Sequence, residues 1–492
     1  MNPLLLISLL SVGHAKSQIP VQIPAAVEEP APPPAPVDPR ATPPAVRAPT
    51  ALPLPAPEQH ALSEGLTVQY VRIPGVRRVE VVAFLHRGSV ELCGAPAPAC
   101  DAYRQLLGVS TKRTDAEAME GALALLDAEL EGGMGLRDTT LRLAVPAENL
   151  DDGLALMREA LLEPAFPKSE LKLLVRDTLQ LYQTVYPTDP GQLARLVRDD
   201  GWFPADHPMG ARPDLAGYKK LKPRTLSALH ARLMSTAPVT VLVVGDVGWE
   251  TVEPALQRAF AGVGHAGTRA PPIPFTPPTA SRVLAVDMPG QPQVSIRMRM
   301  AAPTAASPDR PAFQASHFAV AGSFLSRFNK NIREEKGWTY GVGGRYNPQS
   351  SVAAWDVGLD VAVENTAAAI KELQAELARY VAEGPTEVEA SSATVGYVQV
   401  WNEELATSTS ARQFYADLID DDETVEAGRA RLEALGALSP AQIQQAAAVW
   451  LKPDAPQLWV LVGDRAALEA QLGALGWTAT WLTPSQAVLG QF

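Results

Sequence analysis

Arg333 and Tyr340 are the residues of this chain whose types and spacing point most directly to chemistry. They lie in Ser323-Phe-Leu-Ser-Arg-Phe-Asn-Lys-Asn-Ile-Arg-Glu-Glu-Lys-Gly-Trp-Thr-Tyr-Gly-Val342. Phe324, Phe328 and Ile332 recur every four residues, which predicts a helix over 310–335 with Arg327, Asn331 and Arg333 on its polar face. Gly337 is placed to end it, because glycine accepts the left-handed conformation of a helix C-terminus. Trp338 to Tyr346 then reads as a strand. A helix ending beside the start of a strand can bring Arg333 and Tyr340 onto one surface, where a guanidinium and a phenol O–H are both hydrogen-bond donors. As isolated residues they also have a purely structural reading: Arg333 paired with Glu334, Glu335 or another carboxylate, and Tyr340 half buried in a strand.

Other residues offer less. The seven histidines, at 14, 60, 86, 207, 230, 265 and 317, include no two at the spacing that sets ligands on one helix face, so no metal site is expected from them. Cys93 and Cys100 flank Gly-Ala-Pro-Ala-Pro-Ala and can close a short loop as a disulfide in an oxidising compartment; two free thiols is the other reading. The acidic run Asp420-Asp-Asp-Glu423 lacks the spacing and glycine of a calcium loop and reads as a solvated turn.

The elements that position these residues come in two similar sets. The first has strands at 66–73 and 78–87, a helix at 114–131, a strand at 137–145 and helices at 149–163, 167–185, 190–200 and 223–235. An apolar strand, Val239 to Val244, closes it with Gly245-Asp246. The second has strands at 282–287, 292–300, 338–347 and 352–361, helices at 310–335, 363–382, 386–405, 408–420 and 438–451, and strand 457–462 ending in Gly463-Asp464. Pro167 and Pro385 each open a helix 218 residues apart, and the two Gly-Asp pairs are also 218 apart. A constant offset between separate features marks a duplication. The expected fold class is α+β: two homologous domains, each a mixed or antiparallel sheet covered by helices.

Composition sets the bounds. The 492 residues exceed one ordinary domain, and 46% are hydrophobic, enough for a sizeable core. A net charge of −12 excludes the basic footprint of nucleic-acid or anionic-membrane binding. No apolar run reaches the ~20 residues that span a bilayer, so no transmembrane segment is expected. Residues 1–15 read as a signal peptide, with an apolar run followed by Gly13 and Ala15, which predicts export to the periplasm or beyond. Residues 16–61 read as a Pro/Ala-rich tether, with 14 prolines between 20 and 58, and folding is expected from about Leu66. The domains are then 62–262 and 281–492, joined by a linker at 263–280.

The stretch Arg333-Glu-Glu-Lys-Gly-Trp-Thr-Tyr340 resembles the Arg-Glu-Glu-x-Gly-x-x-Tyr signature of the insulinase-type (pitrilysin, M16) metallopeptidases. The resemblance covers roughly 62–480 and implies two such domains forming half of a clamshell chamber. It implies that Arg333 and Tyr340 contact a substrate carbonyl or the oxyanion formed on it, a role suited to fixed donors. The family's His-x-x-Glu-His falls, between Gly88-Ser89 and Thr111-Lys112-Arg113, on Asp101-Ala-Tyr-Arg-Gln105. Asp101 and Gln105 replace the two histidines and Arg104 the general base, while the third ligand falls near Leu181 or Tyr182, with Asp177 the nearest carboxylate. A hydrolytic zinc needs converging lone-pair donors and a base, so this chain is expected to hold no zinc. Gly132-Gly133 matches a family turn between helix and strand.

The resemblance is to a non-catalytic subunit that lacks the zinc motif and keeps the Arg/Tyr pair. It implies a chain inactive alone that pairs with a zinc-bearing M16 homologue and supplies substrate contacts for peptide-bond hydrolysis, the zinc being in the partner. A structural or peptide-binding scaffold is the alternative, and an independent zinc metallopeptidase a third. The glycine-rich loop of mitochondrial processing relatives is not matched by Phe318-Ala-Val-Ala-Gly-Ser323, with its single glycine.

Overall fold

The computed structural model describes residues 50, 52–94, 97–210, 213–349 and 351–491. The predicted signal peptide and most of the predicted tether lie outside these residues. Two six-stranded sheets carry the fold. The first contains β1 (Glu58–Ser63), β2 (Leu66–Arg72), β3 (Arg78–Leu85), β4 (Glu129–Met134), β5 (Thr139–Pro146) and β6 (Val239–Gly245). The second contains β7 (Arg282–Asp287), β8 (Gln293–Ala301), β9 (Gly343–Pro348), β10 (Ala353–Ala362), β11 (Gln457–Gly463) and β12 (Thr480–Leu482). The strand orders are β1-β2-β6-β3-β5-β4 and β12-β7-β11-β8-β10-β9. β6 runs parallel to β2 and antiparallel to β3, as β11 does to β7 and β8.

The repeat extends to single hydrogen bonds. Asp246 accepts the Gly75 N–H at 2.8 Å, and Asp464 accepts the Gly290 N–H at 2.7 Å. Both glycines have φ near +80°, where a Cβ would strain the turn.

Each sheet is covered on both faces, which is why β6 and β11 read as unbroken apolar runs. One face of each sheet packs on helices from its own half. The other face takes a helix from the opposite half. Leu193, Ala194 and Val197 of the Pro190–Trp202 helix lie on β8 and β11 of the second sheet. Phe414, Tyr415 and Leu418 of the Ser408–Asp420 helix lie on β3 and β6 of the first. The halves thus exchange helices, and neither buries its sheet alone.

A buried ion pair marks each crossing. Glu80 on β3, fully buried, accepts two bonds from Arg142 at 2.8 and 3.1 Å and one from Thr409 of the crossing helix at 2.7 Å. In the second sheet Arg299 on β8 grips Asp356 on β10 at 2.6 and 2.9 Å and reaches Asp199 of the other crossing helix at 2.9 Å.

Several sequence expectations are corrected. The chain folds ahead of Leu66: residues 58–61, read as tether, lie in β1, where His60 stacks on Trp249 with ring centroids 3.7 Å apart. The helix expected over 114–131 ends at Leu125, and 129–134 is the edge strand β4, disguised by its glutamates and glycines. Gly132 and Gly133 therefore lie in a strand rather than a turn; a Cβ on Gly132 would meet the Leu107 carbonyl oxygen at 2.5 Å. A helix at Val425–Gly436 escaped the pattern altogether.

The acidic run is a turn with Asp420 and Asp422 exposed, as read, but it also collects long-range ion pairs. Arg269, from the predicted linker, pairs with Asp138, Asp420 and Asp422; Arg137 also takes Asp422, and Arg310 takes Glu423. Asp138 further accepts a hydrogen bond from His86 Nδ1 at 2.8 Å. Burial alone would raise the Asp138 pKa, but the hydrogen bonds from His86 and Arg269 outweigh it and hold the carboxyl below its ordinary range. Its folded pKa is depressed, so its contribution is complete above about pH 4 and is lost as pH falls through the folded value. Acid titration followed by tryptophan fluorescence should show stability falling below about pH 4, with a shallower fall in Asp138→Asn. An equal slope in that variant would assign acid lability elsewhere.

Candidate functional site

The predicted 310–335 helix is not continuous. It runs Arg310–His317, widens over Phe318–Gly322, breaks at Ser323, whose backbone is extended, and resumes as a widened turn over Asn329–Glu335. Phe328 and Ile332 are fully buried in the second core, as their spacing demands. Phe324 leaves that apolar stripe, because the break turns it outward to 64% exposure. Gly337, at φ +66°, ends the segment as expected, with its N–H on the Arg333 carbonyl at 3.1 Å. The strand expected from 338 begins only at Gly343.

Asn329 holds this irregular backbone together. Its Oδ1 accepts the Val342 N–H at 2.8 Å, and its Nδ2 donates to the Val342 carbonyl at 3.0 Å and the Ser323 carbonyl at 3.1 Å. One buried side chain thus ties the turn before the helix to the segment after it. A short amide in a helix interior competes with the backbone, and that was the signal in the sequence. The polar face the sequence outlined is otherwise structural. Arg327 forks onto Glu389 at 2.7 Å twice, and Asn331 donates to Glu372 at 2.9 Å and Glu376 at 2.8 Å.

Arg333 is the exception. Among the described residues its guanidinium forms no ion pair. It lies 3.9 Å from the Phe324 ring centroid and 6.0 Å from that of Tyr340. Tyr340 is 97% exposed. The two predicted donors therefore do converge, and Phe324, which the sequence pattern assigned to the core, forms the platform under the guanidinium. Stacking fixes the plane of the group and leaves its N–H donors free. Such a site can grip a carbonyl or carboxylate. Trp338 is partly buried against the second core, beneath Lys336 at 5.6 Å.

Asn329→Ala would leave the buried N–H and carbonyl of Val342 without partners, at about 2–4 kcal/mol for the two groups. Hydrogen exchange is the measurement: Val342 should lose protection while β11 keeps it. Unchanged protection at Val342 would show that the clamp does not hold the segment.

Asp101 to Gln105, the stretch that the resemblance sets against the zinc motif, lies on the Pro98–Leu106 helix. Asp101 accepts from Arg104 at 2.8 Å, from Gln105 at 2.8 Å and from the Tyr218 hydroxyl at 2.6 Å. Tyr182, at the third-ligand position, is close enough that Asp101 contributes to raising its pKa, after burial and Tyr186, to about 12. Asp101, Arg104 and Gln105 thus form a closed hydrogen-bond set: the Gln105 amide and the Arg104 guanidinium both point N–H groups at the one carboxylate. This donor set does not fit zinc, which needs lone pairs from several ligands. Asp177 is turned to Arg176 at 2.8 Å. Among the described residues no group of three or more His, Cys, Asp or Glu is placed to hold a metal ion.

Cys93 and Cys100 are joined as a disulfide at the start of the same helix. His207 accepts the Met209 N–H at 3.1 Å and stacks on Phe203, a structural position. No described helix is long and apolar enough to cross a membrane.

Residues 220–393 match the family model described as the peptidase M16 inactive domain. A sequence comparison with curated proteins gives no match. Among solved structures, the peptidase M16 inactive domain from Pseudomonas fluorescens is similar over 83% of this chain and 98% of its own, with TM-score 0.73 and 18% identity. A protease from Helicobacter pylori is similar over 83% of this chain and 100% of its own, with TM-score 0.71 and 17% identity. The periplasmic protease PqqL from Escherichia coli matches over 85% of this chain and 47% of its own, with TM-score 0.69 and 15% identity, so this chain spans about half of it. At these identities the likeness is one of fold. Residues 220–393 thus carry the likeness to the peptidase M16 inactive domain, and the described residues share the two-domain fold of these M16 structures.

Proposed function

We propose that this chain is the non-catalytic subunit of a heteromeric M16 peptidase, pairing with a zinc-bearing homologue and presenting Arg333 and Tyr340 to peptide bound there. The observation that carries this reading is the half-buried Arg333 guanidinium, set on the exposed Phe324 ring beside the exposed Tyr340 and free of any ion pair among the described residues. An arginine kept only for structure would be expected to find an acceptor, a carboxylate as for Arg327, Arg299 and Arg269 or a backbone carbonyl as for Arg429. The self-satisfied cluster at Asp101, Arg104 and Gln105 supports the other half of the reading, a chain inactive by itself. Export to the periplasm or beyond goes with it: the signal-like residues 1–15 and the Cys93–Cys100 disulfide support an oxidising compartment.

The test is reconstitution. The chain alone should not hydrolyse peptides, and mixing with an M16 homologue that carries His-x-x-Glu-His should give activity above that of the homologue alone. A stable complex without any gain in activity would favour the scaffold reading.

A further inference from the structure

The proline-rich segment does not simply run off the fold. Its last residues lie against the Glu387–Glu404, Ser408–Asp420 and Val425–Gly436 helices of the second half before the chain enters β1 of the first sheet. Asn402 frames the entry: its Nδ2 donates to the Thr50 carbonyl at 2.9 Å, and its Oδ1 accepts the Leu52 N–H at 2.8 Å. Three further donors then take backbone carbonyls: Trp401 Nε1 that of Leu52 at 3.4 Å, Arg429 that of Leu54 at 3.1 Å, and the Tyr415 hydroxyl that of Pro55 at 2.7 Å. Leu54, only 6% exposed, is buried in the cluster that contains Trp401, Phe414 and Tyr415.

The chemistry matches the segment. Pro53 and Pro55 have no N–H, so Leu-Pro-Leu-Pro offers its surroundings mainly carbonyl acceptors and two leucines. A groove suited to it needs fixed donors between apolar walls, which is how polyproline-type segments are recognised. A restricted backbone loses little entropy on docking. Trp401, Tyr415 and Arg429 are donors of that kind, and they serve carbonyls on one short stretch.

We infer that these three helices form a recognition groove for a polyproline-type Leu-Pro-Leu-Pro segment, filled in cis by residues 52–56 of this chain. The docked segment is a strap. It lies on the second half and continues directly into the edge strand of the first, so it ties the halves together.

A labelled synthetic peptide with the sequence of residues 49–57 tests this by fluorescence anisotropy. Wild-type chain, its groove occupied, should bind no peptide. Full-length chain with Leu52, Pro53, Leu54 and Pro55 all changed to glycine should bind it, and adding Tyr415→Phe should weaken that binding about 5- to 10-fold, the scale of one hydrogen bond. A strap variant that melts cooperatively yet binds no peptide overturns the inference, as does equal binding by wild type and variant. Should that variant not fold, hydrogen exchange on the wild-type chain decides instead. The Leu52 amide should be protected and should exchange faster in Tyr415→Phe; free exchange of Leu52 in the wild type would overturn the groove.

Discussion

With Arg333 replaced by alanine, the chain should assemble as before with the zinc-bearing homologue proposed as its partner, while the kcat of the proposed joint peptidase falls by roughly 10²–10³-fold, the scale of losing one donor to a developing oxyanion. The structure separates the two effects. Arg333 forms no ion pair among the described residues and stacks on an exposed ring, so its removal leaves no buried charge unpaired. Stability should then move by no more than about 0.5 kcal/mol, as for surface changes generally. Tyr340→Phe removes a single hydroxyl from a 97% exposed ring and should cost activity less, about 10-fold, with no change in assembly. Arg333→Lys should rescue poorly, because an ammonium keeps the charge without the planar fork that stacks on Phe324. The measurement is steady-state peptide hydrolysis at saturating partner, with complex formation read by sedimentation. Wild-type rates in both Arg333→Ala and Tyr340→Phe would leave the pair without a role and the chain a scaffold.

What the sequence made legible follows from what is local. The β6 and β11 runs stood out because burial on both faces demands continuous apolar residues, and the Gly-Asp pairs that close them recur at a constant offset. Gly337 was readable as a helix end because only its own conformation mattered. The Arg/Tyr pair was readable as a motif, yet its geometry was not. Phe324 belongs to the apolar stripe by count, and only the bond from Asn329 to the Ser323 carbonyl shows that the stripe is broken there. Long-range partners were hidden altogether. Nothing near Asp420 says that Arg269 will meet it, and nothing in the amphipathic pattern of Pro190–Trp202 or Ser408–Asp420 says which sheet each will cover. Amphipathicity predicts that a helix buries a face; it does not name the surface that receives it.

That helix exchange leads to a second large expected effect, on stability. Asp356→Ala should lower the unfolding free energy by about 3 kcal/mol, the lower end of the range for breaking a buried pair, because Arg299 keeps Asp199 as a second partner. Arg299 and Asp356 are both 8% exposed, so the guanidinium left behind cannot recover its lost partner from water. The damage should not stay in the second half. Asp199 and Arg198 belong to the crossing helix and face this pair, the latter 3.5 Å from Asp356. The same helix buries Leu193, Ala194 and Val197 on the second sheet, while the Ser408–Asp420 helix makes the reciprocal crossing to the first. Two sheets that each depend on the other half for one covered face should unfold as one cooperative unit. Hydrogen exchange in increasing urea reads this directly: amides of β6 and β11 should lose protection together, in the wild type and in Asp356→Ala alike. Arg299→Met combined with Asp356→Leu should recover most of the loss, since an apolar pair of similar volume needs no compensation for buried charge. Loss of protection at β11 well before β6 would mean that the halves are independent and that the exchanged helices only rest on the sheets they cover.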